Sequence, residues 1–69
     1  MQIFLVTKGA TYEAEETISA HKTFEAAKIR CRELAKKTVG KILSEYESGP
    51  EFNIECQYCY YTIEIMELE

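Results

Sequence analysis

The chain has 69 residues, 46% of them hydrophobic and 12% aromatic, and a formal net charge of −4. That length allows one small domain, residues 1–69, with a thin core and no room for a large cofactor or a second lobe. The apolar content excludes a disordered chain, and no apolar run reaches the roughly 18 residues that a membrane crossing needs. Met1–Ala10 lacks the basic stretch of a secretory leader, so the expected location is the cytoplasm.

In chain order, Gln2–Thr7 is a continuous apolar run rich in β-formers, ended by Lys8-Gly9-Ala10. Such a run is covered on both faces and belongs inside a sheet. Glu15–His21 alternates loosely and reads as a half-buried second strand, in a hairpin with the first. Thr23 then has the character of a helix N-cap, with Glu25 in the first turn, where its charge suits the helix dipole. Phe24, Ala27, Cys31, Leu34, Ala35, Thr38 and Ile42 recur at three- and four-residue spacing, and Tyr46 extends the row. This pattern predicts one long amphipathic helix continuing past Gly40 to about Glu47, stopped by Ser48-Gly49-Pro50.

The remainder alternates. Phe52, Ile54, Cys56 and Tyr58 share one parity, whereas Tyr61, Ile63 and Ile65 share the other. The flip requires a bulge in one strand or a tight turn between two, and the absence of a glycine turn favours the bulged strand. The expected fold is α+β: a mostly antiparallel sheet of three to four strands, order ββαβ(β), with one long helix packed on one face. A single helix covers only one face, yet apolar and aromatic residues occur at both strand parities. The surplus calls for a partner protein or a second copy, giving a homodimer.

Charge is segregated along the chain. All eight Lys and Arg residues lie within residues 1–41, and the twelve acids are all Glu, seven of them after residue 41. The bases Lys28, Arg30, Arg32, Lys36, Lys37 and Lys41 gather in the helical segment and could track a phosphate backbone, but the net acidity makes nucleic acid an unexpected partner. Cys56-Gln57-Tyr58-Cys59 is a CxxC, and with Cys31 and His21 it makes up the four ligands of a tetrahedral zinc site; no second CxxC accompanies it, so the expectation is free thiols, no metal and no cofactor. His21 lacks a carboxylate at motif spacing, and no serine lies in a nucleophile motif, so no enzyme chemistry is expected.

Three segments carry a resemblance. Met1–Gly9, Ile18–Ala27 and Tyr61–Glu69 resemble the opening strand, the second strand with helix start, and the acidic final strand of small phage, prophage and bacterial ββαβ proteins that form a domain of unknown function. The layout is also similar, at the level of architecture, to phage anti-CRISPR proteins. That resemblance implies a fold and no catalytic residue. Together these features imply a non-enzymatic protein-interaction domain, encoded by a phage or mobile element, that binds and inhibits a host protein, with anti-CRISPR action as one form of it. The expected partner-binding residues are Tyr12, Tyr58 and Tyr60 with Glu45, Glu47, Glu51, Glu55 and Glu67, since tyrosine gives contact area and glutamate gives steering. The alternative is a metal- or nucleic-acid-binding accessory protein using Cys31, Cys56 and Cys59 or the basic helix face.

Overall fold

A computed structural model describes residues 1–10 and 13–68. It contains β1 (Gln2–Ala10), β2 (Glu13–His21), α1 (Phe24–Lys37), β3 (Ile42–Ser48), β4 (Glu51–Cys56) and β5 (Tyr60–Glu67). The strands form one antiparallel sheet in the order β2-β1-β5-β4-β3. The α+β class, the opening hairpin and the interior position of β1 are as the sequence implies. The strand count is five rather than three or four, and the element order is ββαβββ.

Thr23 caps α1: its side-chain oxygen accepts from the Ala26 N–H at 3.1 Å, and Glu25 lies in the first turn. Ala27, Cys31 and Ala35 follow at four-residue spacing and are buried against the sheet. These small side chains let the helix approach closely, and larger ones from the strands (Val6, Phe52, Ile54, Tyr61 and Ile63) complete the core. Phe24 packs edge-on against Phe4 and Phe52, with ring centroids 5.8 and 6.4 Å apart.

The helix does not run to Glu47. It ends at Lys37, and Gly40 turns the chain at φ +100°, a conformation that residues with a Cβ rarely adopt. Ile42, Leu43 and Tyr46 then lie on β3, an edge strand exposed along its whole length, so they do not extend the helical apolar row. Ser48-Gly49-Pro50 does stop an element, but that element is β3; Gly49 makes the turn into β4 at φ +59°. The parity flip after Tyr58 is a turn and not a bulge. Cys56 N–H donates to the Cys59 carbonyl at 2.8 Å across Gln57-Tyr58, closing β4 onto β5.

The register defines two faces. Phe4, Val6 and Lys8 of β1 oppose Ile65, Ile63 and Tyr61 of β5, and all lie on the helix side. Ile3, Leu5, Thr7 and Gly9 lie on the other side with Met66, Glu64, Thr62 and Tyr60. The row continues from Thr62 to Asn53 on β4 and Tyr46 on β3. This second face has no helix over it.

Gly40 and Gly49 differ in a way that a substitution series reads. A Cβ at Gly40 would lie 3.0 Å from Gln57 Cβ and Tyr58 Cδ2, whereas nothing approaches one at Gly49. Gly49→Ala is expected to cost about 1 kcal/mol, the left-handed backbone alone. Gly40→Ala adds crowding to that strain and is expected to cost about 2 kcal/mol or more. Urea unfolding midpoints of the two variants, at unchanged slope, check the order.

Candidate functional site

The two faces divide the sequence-predicted residues. Glu45 and Glu47 lie opposite Ile54 and Phe52, on the helix side of β3. Each meets a base from α1. Arg32 donates Nε and Nη2 to the two carboxylate oxygens of Glu45, both at 3.1 Å, in a bidentate pair. Lys28 Nζ lies 3.2 Å from both Glu47 oxygens and 3.1 Å from Glu25. The cationic heads also approach aromatic rings, Lys28 over Phe24 at 5.4 Å and Arg32 over Phe52 at 5.5 Å. Glu45 and Glu47 thus hold β3 to the helix and are not grouped with the tyrosines.

The same pairs answer half of the basic helix set, since Arg30 also pairs with Glu33 at 3.8 Å. Among the described residues, Lys36, Lys37 and Lys41 have no ion-pair partner within 4.0 Å.

Glu51 and Glu55 are on the open side of β4, with Asn53 between them. Tyr60 is on the open side of β5. Its hydroxyl donates to Glu15 Oε2 of β2 at 3.1 Å, so the ring spans β1. It crosses at Gly9, where an added Cβ would collide with Tyr60 Cζ and Oη. The Glu15 bond, followed by desolvation, raises the Tyr60 hydroxyl above its ordinary pKa. Tyr58 lies in the β4–β5 turn and is 62% exposed. Glu67 is at the far end of β5, opposite Gln2. Tyr12 lies outside the described residues.

Several residues of the open face were not singled out from sequence. Tyr46 is 55% exposed and Met66 46%, and Leu5 lies half-buried on the same face. Glu64 and Glu15 add charge. Lys8 is the single base within the five strands, and it faces the helix side beside Tyr61. Two polar atoms on the open-face row, Thr7 Oγ1 and Asn53 Oδ1, are buried without a hydrogen-bond partner. Such atoms cost about 1–3 kcal/mol each, so an outside donor that reached them would be favoured. The parity of Thr7 and Asn53 was readable, but the missing partners depend on packing.

The three cysteines are free and buried. Cys31 faces the core from α1, and burial pushes its thiol up to about 11. Cys56 is raised by burial, then by the neighbouring Cys59 thiol. Cys59 lines clefts on both sides of the turn. Among the described residues, no group of three or more His, Cys, Asp or Glu is placed to hold a metal ion. His21 is at the end of β2, its Nε2 2.8 Å from Ser19 Oγ. Tyr61 is a core residue whose hydroxyl is hydrogen-bonded to Thr38 Oγ1, which itself donates to the Leu34 carbonyl at 2.8 Å. No helix among the described residues is long and apolar enough to cross a membrane. No protein family, curated protein or solved structure matches the chain.

Two outcomes test this geometry. Arg32 holds the Glu45 carboxyl below the ordinary carboxylate range, chiefly through the bidentate hydrogen bond. A lowered folded pKa stabilises the fold above the unfolded carboxylate range, and that contribution is lost as pH falls through the lowered value. Arg32→Met should return Glu45 toward its ordinary pKa, read from the carboxyl ¹³C shift against pH, and should flatten the acid limb of stability. For the thiols, brief alkylation of the folded protein followed by peptide mapping should find Cys59 modified first and Cys31 last.

Proposed function

We propose that the chain is a non-enzymatic protein-interaction domain that presents the open face of its sheet to a partner protein. The observation that carries this reading is the asymmetry of cover. One face is packed under α1, while the other displays Leu5, Tyr46, Tyr60 and Met66 among Glu15, Glu51, Glu55 and Glu64, with no strand base beside them. Large amphipathic rings on rigid strands make contact area at low entropic cost, and unpaired acids steer an oppositely charged partner. The like charge of two open faces disfavours stacking one copy on another, so a different protein fits better than a homodimer through this surface.

The resemblance to small phage and prophage proteins extends the proposal: the partner is a host protein, and occupation of its surface inhibits it. An anti-CRISPR action is one form this would take. The domain would work in the cytoplasm, a compartment that suits three unpaired thiols.

The open-face double variant Tyr46→Ala/Met66→Ala removes two exposed side chains and should leave the far-UV circular dichroism unchanged. Its capture of the partner from host lysate should fall by more than about tenfold, as for a central interface residue. Lys36→Glu/Lys37→Glu, on the helix, should capture normally. Full capture by the open-face variant, or loss only in the helix variant, would move the interface elsewhere.

A further inference from the structure

The cleft between the end of the open face and the β4–β5 turn has a chemistry of its own. It encloses about 280 Å³, and its lining includes Leu43, Asn53, Glu55, Gln57, Tyr58 and Tyr60, with no Lys or Arg. That volume is below the roughly 300–1,000 Å³ usual for small-molecule sites, and it admits a single long side chain. We propose that this cleft is the anchor site for an arginine side chain of the partner protein. The inference rests on the open face being the protein-binding surface and adds the group that docks there.

The lining joins acceptors to aromatic rings and holds no cation. Glu55 contributes a carboxylate. Asn53 Oδ1 is buried and has no partner, so it lacks a donor that the protein does not supply. Tyr60 spends its hydroxyl proton on Glu15, which leaves its oxygen as an acceptor and fixes the ring over Gly9. Gln57 is held at the rim: its Oε1 accepts from the Lys41 N–H at 3.3 Å, and its own N–H donates to the Lys41 carbonyl at 2.8 Å.

A ligand for this lining must bring several donors, carry positive charge and tolerate aromatic faces. A guanidinium does all three. It is planar, carries five N–H donors, cannot be deprotonated and is more weakly hydrated than an ammonium, so entering a half-enclosed aromatic cleft costs it less. Tyr58 and Tyr60 attract the cation through their ring faces, and Glu55 forms the charged hydrogen bond. Leu43 covers the aliphatic stem.

The test titrates the ¹⁵N-labelled protein with N-acetyl-arginine amide and, in parallel, with the citrulline and lysine analogues. Citrulline keeps the shape without the charge. The arginine probe, at millimolar concentration, should shift the Asn53 side-chain amide and the backbone amides of residues 57–60, with citrulline silent and lysine weaker. Glu55→Gln, an exposed strand position that leaves the core untouched, should weaken the arginine probe about tenfold, the loss of one charge-assisted hydrogen bond. Glu33→Gln on the helix should leave it unchanged. Equal response to citrulline, tighter binding of lysine, shifts spread over every Glu-bearing strand, or no response to arginine would each overturn the assignment. A silent titration, with partner capture still lost in Tyr46→Ala/Met66→Ala, removes the arginine anchor and leaves the protein-interaction reading standing. Normal capture by that double variant, with the arginine shifts intact, removes the open face as the protein-binding surface and with it the partner's arginine, leaving a cleft that binds free arginine.

Discussion

The mismatch in width between one helix and five strands governs this molecule. A helix with its side chains is about 10 Å across, whereas five strands at about 4.8 Å spacing span roughly 20 Å. The 14 residues of α1 therefore roof a stripe of one face, along the line of Ala27, Cys31 and Ala35. Within the stripe the packing is close. Val6, Ile54 and Cys31 are essentially inaccessible, the phenylalanines interlock at one end, and the Tyr61–Thr38–Leu34 chain of hydrogen bonds ties down the other. Outside it, other means of attachment are needed.

At β3 the means is electrostatic. The strand lies beyond the apolar reach of α1, and its helix-side positions are Glu45 and Glu47 rather than aliphatic residues. Long basic side chains bridge the gap, with Lys28 and Arg32 burying part of their stems against Phe24 and Phe52 while their heads meet the carboxylates. Edge strands are liable to pair with other chains, and charged side chains with a register irregularity near Leu43 restrain that here. The segregation of charge along the sequence is thus partly internal: some late acids exist to meet early bases. Of the late acids left over, Glu51, Glu55 and Glu64 lie on the open face, the surface assigned to the partner under the proposed function.

Local chemistry made the first half of the fold legible. The β-forming run at Gln2–Thr7, the Thr23 cap and the small-residue spacing of Ala27, Cys31 and Ala35 each act over one or two turns of chain, and each holds. Ile42, Leu43 and Tyr46 misled because three apolar residues at helical spacing fit a helix as well as a strand. Gly40 at φ +100° decided between them, and the alternation Ser44, Glu45, Tyr46, Glu47, Ser48 was the overlooked period-2 signal. On a helix Tyr46 would face the core, whereas on β3 it is an exposed aromatic of the open face. Likewise, grouping Glu45 with Glu55 followed from counting charge along the chain, whereas the pleat sends the first to the helix and the second to the open face. The β4–β5 turn lacked a glycine cue and betrayed itself only in the parity flip.

One ring of the open face is already held in place. An exposed tyrosine normally loses rotamer freedom when a partner covers it, but Tyr60 has already lost it. The missing side chain at Gly9 gives the ring a bed, and Glu15 holds the hydroxyl two strands away. Asn53, next to Thr62 in the row that crosses the sheet, keeps an acceptor buried and unanswered. Such an atom costs stability in the isolated domain, and Asn53 lines a cleft together with the Tyr60 ring. Tyr60, Glu55 and Asn53 line that cleft from strands rather than from a loop, and under the proposed reading such a rigid set would select its ligand by donor geometry rather than by adapting to it.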